Sequence, residues 1–333
     1  MAVRIERLDP DASPGDDVRS WYDARVAAAK VDLPDEPPPG WRDHLGSLRH
    51  GFGGEPQEVW TARVEGRHVG GYVLGLPRHD NTHTGRLGLL VHPDDRRRGH
   101  GRVLFCHALD RLRAEHRTTV IGEAFDETAG ETFAEAVGAT RALREVRRVL
   151  DLDRLDQEVN ADHLAAAERA SSGYGLIRWS GPVPEEHMTG VVGLMARMSD
   201  APTDDLAWEV ESWDADRVRA VERAVAARYQ RPYAIAARHR ASGQLVGLTT
   251  VFVKGDHPWW SAQGDTVVLP PHRGRRLGLR MKLAMLPWLC DREPEVRHLV
   301  TWNAATNVPM VAVNDVMGYR VLDHASSWQL AVP

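Results

Sequence analysis

The chain has 333 residues, room for two domains of ordinary size, and 42% of them are hydrophobic, enough for each to bury a core. Its formal net charge of −5 argues against a general nucleic-acid binder, which would be basic overall. Nearly all the positive charge is arginine, with lysine only at Lys30, Lys254 and Lys282.

Val3 to Leu8 alternates apolar and charged residues, which predicts a strand. Asp16 to Lys30 has a helical pattern, ended by the proline-rich stretch 32–39. Trp41 to Arg49 predicts a second helix, closed by Gly51, Gly53 and Gly54. Glu58–Val64 and His68–Leu76 flank the turn Glu65-Gly66-Arg67, a hairpin. Leu87 to Val91 predicts a strand, and Phe105, Leu109 and Leu112 mark one face of the helix after it. Thr118–Ala124 is a strand, Glu131–Val137 a short helix stopped by Gly138, and Leu143–Leu152 a strand. Residues 153–172 are rich in alanine and charge and predict a helical connector.

The order then restarts. Tyr174–Trp179 is a strand, and Pro184–Met198 and Asp214–Tyr229 are helices. Pro232–Arg238 and Gln244–Val253 form a hairpin around Ala241-Ser242-Gly243. Asp265–Leu269 is a strand; Leu279, Leu283 and Leu286 mark the next helix, which Pro287 should kink or end. Arg297–Trp302 (strand), Val308–Val316 (helix) and Tyr319–Gln329 (strand) complete the chain. Cys106 and Cys290 fall in helices, form no CxxC pair and are expected to be packed thiols, with no metal site. The start, Met1 to Arg7, is charged and no long apolar stretch follows, which predicts no signal peptide, no membrane span and a cytoplasmic protein.

The two halves repeat. Gly70 and Gly247, Val91 and Val268, Pro93 and Pro270, Arg96 and Arg273, and Gly101 and Gly278 are each 177 residues apart. An offset of that size marks duplicated domains, here 1–152 and 173–333 joined by 153–172. Each half places a basic, glycine-containing turn between a strand and a helix, at Val91–Arg102 and at Val268–Gly278. Backbone N–H groups at a helix start have no partner inside the helix and favour an anion. Gly99 and Gly101 let the backbone approach it closely.

Arg96-Arg97-Arg98-Gly99-His100-Gly101 resembles the R/Q-x-x-G-x-G/A motif of the GNAT superfamily of N-acetyltransferases. Val91-His92-Pro93 and Ala136-Val137-Gly138-Ala139 fall where that family has V-x-P and its closing L-G-F. The second half, with Val268-Leu269-Pro270, His272 to Gly278 and Asn314 to Tyr319, has the same layout. The whole chain is similar to tandem GNAT proteins such as mycothiol synthase and its actinobacterial relatives. The resemblance implies an α/β (α+β) fold: in each domain a mixed, mostly antiparallel twisted sheet, helices on both faces and a splayed central strand pair.

It also implies acetyl-CoA as cofactor. The pyrophosphate would sit on the first turn, Arg96, Arg97, Arg98, Gly99, His100, Gly101 and Arg102, and on the second, Arg273, Gly274, Arg275, Arg276, Leu277 and Gly278. The pantetheine arm would pair with Leu89 to Val91 and with Val267, Val268 and Leu269, as an added strand pairs with an open edge. Asn303 and Asn307 would hydrogen-bond that arm, although Asn307 before Val308-Pro309 also suits a helix cap. The second turn departs from the first where Arg276 replaces Gly99; a side chain there is compatible with a negative φ and could meet a phosphate.

Acetyl transfer to an amine needs a base, an aligned thioester and an oxyanion donor. The family's usual acid, a tyrosine four residues before the closing glycine, is Ala134 in one half and Asn314 in the other, so the leaving thiolate would be protonated from solvent. Asp265, at the start of the second motif strand where the first half has Gly88, is the candidate base, ahead of Glu123 and the loop residue His257. Glu209 and Glu211 could bind a cationic substrate, and Trp260, in a tryptophan-rich half, could line the acceptor pocket. The expected activity is transfer of acetyl from acetyl-CoA to an amine of a small molecule, in the second domain. The alternatives are catalysis in the first domain or a non-catalytic acyl-CoA-binding module. No nucleic-acid or membrane partner is expected, since Asp94 and Asp95 offset the arginine triplet, and the protein would be a monomer or homodimer.

Overall fold

The computed structural model describes residues 3–11, 15–51, 53–55 and 57–333; Met1 and Ala2 of the charged start lie outside them. The first half runs β1 (Arg4–Leu8), α1 (Asp16–Asp32), α2 (Trp41–His50), β2 (Gln57–Val64), β3 (Arg67–Gly75), β4 (Thr84–Val91), α3 (His100–Ala114), β5 (Thr119–Phe125), α4 (Ala129–Ala136) and β6 (Thr140–Asp151). The connector holds α5 (Gln157–Ala170). The second half follows with β7 (Tyr174–Ser180), α6 (Met188–Met195), α7 (Ala215–Ala227), β8 (Gln230–His239), β9 (Leu245–Lys254), β10 (Trp260–Val268), α8 (Leu277–Arg292), β11 (His298–Ala304), α9 (Val308–Val316) and β12 (Arg320–Ala331).

These elements form two compact units: Met1–Glu145 with Thr203–Glu209 and His324–Pro333, and Val146–Pro202 with Val210–Asp323. The units thus differ from the divisions at 152 and 173: strand ends are exchanged, Thr203–Glu209 joins unit 1, and the connector belongs to unit 2. The end of β12 completes unit 1, pairing Ala325–Ala331 antiparallel with β5. The end of β6 belongs to unit 2, beside β11.

In each unit a mixed, mostly antiparallel sheet has helices on both faces. Alternation along β3 sends Tyr72 and Leu74 toward α3, where Leu104, Ala108 and Leu112 are fully buried. Val73 faces the opposite cluster, which holds Val18, Trp21 and Leu48 of α1 and α2. In unit 2, Tyr233, Ile235 and Ala237 of β8 pack on α8, while Ala234 and Ala236 pack toward Val191 and Leu194 of α6. Each such valine, leucine or isoleucine contributes about 1.5–3 kcal/mol when fully buried. α8 runs through Pro287 to Arg292 rather than ending there. The missing hydrogen bond is offset by burial of Leu283, Leu286 and Leu289 around the proline. Cys106 and Cys290 are both exposed, not packed: they lie on the outer sides of α3 and α8.

The repeated glycines mark a repeated bulge. In β3, the register against β2 shifts between Gly70 and His68, leaving Val69 extra; in β9, the register against β8 shifts between Gly247 and Leu245, leaving Val246 extra. The freed carbonyls accept from the strand exits: His92 N–H donates to Val69 O and Leu269 N–H to Val246 O, each at 2.9 Å. The motif strands then part from their parallel neighbours. β4 pairs with β5 only over Thr84–Arg86, and β10 with β11 only over Trp260–Ala262. A Cβ on Gly70, at φ +154, would lie 2.3 Å from Leu90 O; one on Gly247 would lie 3.0 Å from the flexible end of Met281. Gly70→Ala is therefore expected to cost about 3 kcal/mol, through strain and backbone overlap. Gly247→Ala should cost less, about 1–2 kcal/mol, because the methionine can move aside and only the Val267 carbonyl at 3.2 Å must yield by a few tenths of an ångström. Urea unfolding of the two variants measures the difference; equal losses would show that the glycines do not make these contacts.

Candidate acetyltransferase site

Both turns share one backbone plan with the glycine in a different place. In the first, Arg97 and Gly99 adopt left-handed φ of 62° and 84°; in the second, Gly274 and Arg276 do so at 76° and 56°. Arg276 is therefore not in the negative-φ conformation expected from the sequence. It accepts the strain of the left-handed region because it caps α8 where Gly99 caps α3. The resulting N–H groups open toward solvent at a helix start, the geometry that holds an anion.

The motif arginines brace these turns. Arg96 Nε donates to Val91 O at 3.3 Å, and its two terminal nitrogens hold Asp32 at 2.7 and 2.5 Å. Arg273 Nε donates to Val268 O at 2.9 Å, and one terminal nitrogen holds Asp200 at 2.7 Å. Buried Asp95 binds Arg67 through both oxygens at 2.6 Å and takes Arg98 at 3.2 Å. Arg96, Arg98 and Arg273 are thus committed within the protein, whereas exposed Arg97, Arg102, Arg275 and Arg276 make no ion pair among the described residues. His100 and Gly101 open α3, and a Cβ on Gly101 would meet the Phe133 ring at 3.2 Å. Leu277 and Val267 are buried, so only their backbones are available to a ligand. Leu89 and Val91 of β4, and Val268 beside the exit bond of Leu269, line the edges left open where the strands part.

 Of these, the Leu269 N–H is already taken by Val246 O.

Asp265 lies inside β10, not at its start, because the strand begins at Trp260. The register between β10 and β9 shifts between Gln263 and Thr266, which bulges Gly264 and Asp265 out of the ladder. The matching residue, Gly88, sits in an unbroken ladder with β3. A bulge re-aims a side chain, and here Asp265 joins an apolar recess between the sheet and α6 and α7, lined also by Trp179, Trp213, Thr250 and Phe252. Water reaches its carboxyl, yet protein surrounds it deeply enough for desolvation, followed by the charge of Glu211, to raise its pKa. Asp265 makes no hydrogen bond or ion pair through its side chain among the described residues.

A polar chain crosses the unit 2 interior. Lys282 of α8 is 1% exposed; its Nζ donates to Asn314 Oδ1 at 2.5 Å and lies 4.7 Å from the centre of the Tyr319 ring. Asn314 Nδ2 donates to Asn303 Oδ1 at 2.6 Å. An ammonium only donates, so it orients both amides and leaves Asn303 Nδ2 as the outward donor. Burial pushes the Lys282 pKa down to about 7. Sequence reasoning missed Lys282, although a lone lysine within the apolar run Leu279–Leu286 was the available signal.

Other expected residues lie elsewhere. Asn307 caps α9, accepting from Met310 N–H at 3.3 Å. Trp260 is buried with Val149 and Val300, away from the recess. Glu209 belongs to unit 1, where Asn81 binds its backbone and its side chain is exposed. Glu211 holds Arg217 at 3.3 Å. Glu123 is exposed on β5 and acts on Glu145, which burial and then Glu123 push up to about 7. His257 packs its ring 6.4 Å from Trp259.

Residues 18–138 match the acetyltransferase (GNAT) family. The chain is 31% identical to a tandem GNAT protein from the clavulanic acid biosynthesis pathway, whose structure without acetyl-CoA it matches at a TM-score of 0.83 over 100% of this chain and 99% of that one. A GCN5-related N-acetyltransferase from Sphaerobacter thermophilus shares the fold at 14% identity and a TM-score of 0.65, covering 99% and 96% of the two chains. An acetyltransferase from Pyrococcus horikoshii does so at 15% identity and 0.58, covering 99% and 89%. No curated protein matches the chain. The chain belongs to the GNAT acetyltransferase family and is a tandem N-acetyltransferase.

Two outcomes test this geometry. Arg276→Gly should stabilise the protein by up to about 1 kcal/mol, by relieving a left-handed side chain, while Gly274→Ala should cost about 1 kcal/mol or more; denaturant midpoints decide. Lys282 is neutral more readily when folded than when unfolded, so its cost is absent above its ordinary value of 10.5 and full below about 7. Lys282→Met should therefore gain on the parent as pH falls from 10 to 7, by at most about 1.4 kcal/mol per pH unit. A stability difference that stays constant across that range would show that Lys282 is not desolvated.

Proposed function

We propose that unit 2 transfers an acetyl group from acetyl-CoA to an amine of a small molecule, with Asp265 as the base. The observation that carries this reading is the bulged, unpaired Asp265 carboxylate beside an open strand edge. Acetyl-CoA supplies an activated acetyl group on a thioester. The turn N–H groups of residues 274–279, with exposed Arg275 and Arg276, suit its phosphates. The free edge of β10 and the Asn303 donor suit its amide-bearing arm.

The residues then divide the work by chemistry. Asp265 takes a proton from the acceptor's ammonium group, and its raised pKa makes it a stronger base than an ordinary carboxylate. A backbone N–H on the part of β10 that β11 leaves open would donate to the developing oxyanion. Asn314, held by Lys282, has no acidic proton to give, so the departing thiolate takes its proton from solvent. Unit 1 has the same turn plan, with Arg97 and Arg102 toward the phosphates, and serves chiefly as a second cofactor-binding fold.

One observation favours a second reading, catalysis in unit 1: Glu145, pushed up to about 7, is poised to exchange a proton near neutral pH. Release of CoA thiol separates the two. Asp265→Asn should lower kcat/KM by a factor of about 10² to 10⁴ with acetyl-CoA binding unchanged. The parent rate should fall as pH drops through the raised Asp265 pKa, and this limb should vanish in the variant. If Glu145→Gln instead carries the loss, the reaction belongs to unit 1. If no amine turns over while CoA binds tightly, the protein is an acyl-CoA-binding module.

A further inference from the structure

The recess beside Asp265 has its own chemistry. Strands β7, β8 and β9 form one wall, through Trp179, Ala234, Leu248 and Phe252, and α6 and α7 form the other. It has a cavity volume of about 120 Å³, is partly open to solvent, and its surface is mostly apolar. Two carboxylates reach it. Glu222 is already satisfied, by Val183 N–H at 2.6 Å and by Arg219 at 2.8 Å. Asp265 is not, and neighbouring Glu211 adds negative charge. Two more polar atoms of the lining, Trp213 Nε1 and Thr250 Oγ1, are buried without a hydrogen-bond partner. Buried polar atoms of a native protein are seldom left so.

From this we infer that the recess receives the body of the acceptor, and that the acceptor is a primary amine on a compact aromatic or branched apolar group with one hydrogen-bonding oxygen. The inference rests on Asp265 as the base. Three observations set the class. An apolar wall penalises a polyhydroxylated sugar, whose hydroxyls would lose water without gaining partners. The Asp265 carboxylate, with the Trp179 and Phe252 rings at hand, attracts an ammonium group, whereas Glu211 is already paired with Arg217, whose guanidinium lies over the Trp213 ring. Trp213 Nε1 is a donor only, so it calls for an oxygen on the ligand.

The test uses the full chain. Phenylalaninol, phenethylamine, glucosamine and a lysine-containing peptide are compared by CoA-thiol release with acetyl-CoA, and by quenching of tryptophan fluorescence without it. Val221→Trp fills the recess from the half-exposed side of α7. Phenylalaninol should bind and should exceed glucosamine and the peptide at least 10²-fold in kcat/KM. Val221→Trp should weaken its binding at least tenfold and leave acetyl-CoA affinity unchanged. Met195→Trp, on α6, repeats the test if the first variant fails to fold. A preference for glucosamine or the peptide, no binding of either apolar amine, or binding indifferent to both fillings would overturn the inference. Apolar amines that bind in the recess but are never acetylated would overturn it too, whereas apolar amines whose acetylation falls with the fillings yet is unchanged in Asp265→Asn would keep the recess as the acceptor site and remove Asp265 as base. Transfer to glucosamine that depends on Asp265 but ignores the fillings would do the reverse.

Discussion

The structure depends on a hydrogen bond made twice, from His92 N–H to Val69 O and from Leu269 N–H to Val246 O. It exists because one extra residue in the adjoining strand turns a carbonyl out of the regular ladder. That carbonyl holds the exit of the motif strand after the strand has lost its parallel neighbour. The open edge, the basic turn and the first turn of the following helix are consequently fixed against one another. A cofactor site of this kind needs backbone groups that are unpaired and yet rigid, and the bulge supplies the rigidity. Gly70 permits it by keeping a side chain off Leu90 O.

The two copies keep this frame and differ in what they hang on it. Each motif arginine ties its turn to a strand carbonyl and to a carboxylate, but the carboxylate is Asp32 in one copy and Asp200 in the other. Each turn has two left-handed positions and fills one with glycine, on opposite sides. The frame therefore tolerates about 1–2 kcal/mol of local strain per copy, as long as surrounding contacts over-determine the turn. The chemistry diverges more. β4 runs straight past Gly88, whereas β10 bulges at Gly264 and Asp265 and turns a carboxylate into a recess. The second copy also buries Lys282, whose only donor-to-acceptor direction orders Asn314 and Asn303. Such a network is costly in an apolar interior unless every member has a partner, and it occupies the place where the family's acid would stand.

Much of the fold was legible because it is written in local pattern. Alternation located the hairpins, helical spacing located α3 and α8, and Val308–Val316 was bounded correctly by an asparagine cap and a following proline. The expectations that failed were those in which distant packing outvoted a local rule. Pro287 should interrupt a helix, but α8 is buried on both sides of it. Arg276 should avoid positive φ, but the cap of α8 requires it. Cys106 and Cys290 are ordinary buried residues by type, yet sit on outward helix faces. Of the candidate site residues, Asp265 was visible as a polar residue on an apolar strand, while the rest of its recess comes from β7, β8, β9, α6 and α7, far apart in the chain.

The sequence by itself determined the duplication, the order of strands and helices and the two basic turns, since each rests on periodicity or on residues close together in the chain. Tertiary structure alone decided which arginines remain available to an anion, because that depends on whether Asp32, Asp95 or Asp200 lies within reach. It also decided that the strand ends are exchanged between the units, and that Asp265 shares a recess with Trp213 and Thr250 while Trp260 does not. Those outcomes turn on strand register, where a shift of one residue sends a side chain to the other face, and no local pattern specifies a register, whether against the neighbouring β9 or, for β12, against β5 about 200 residues away.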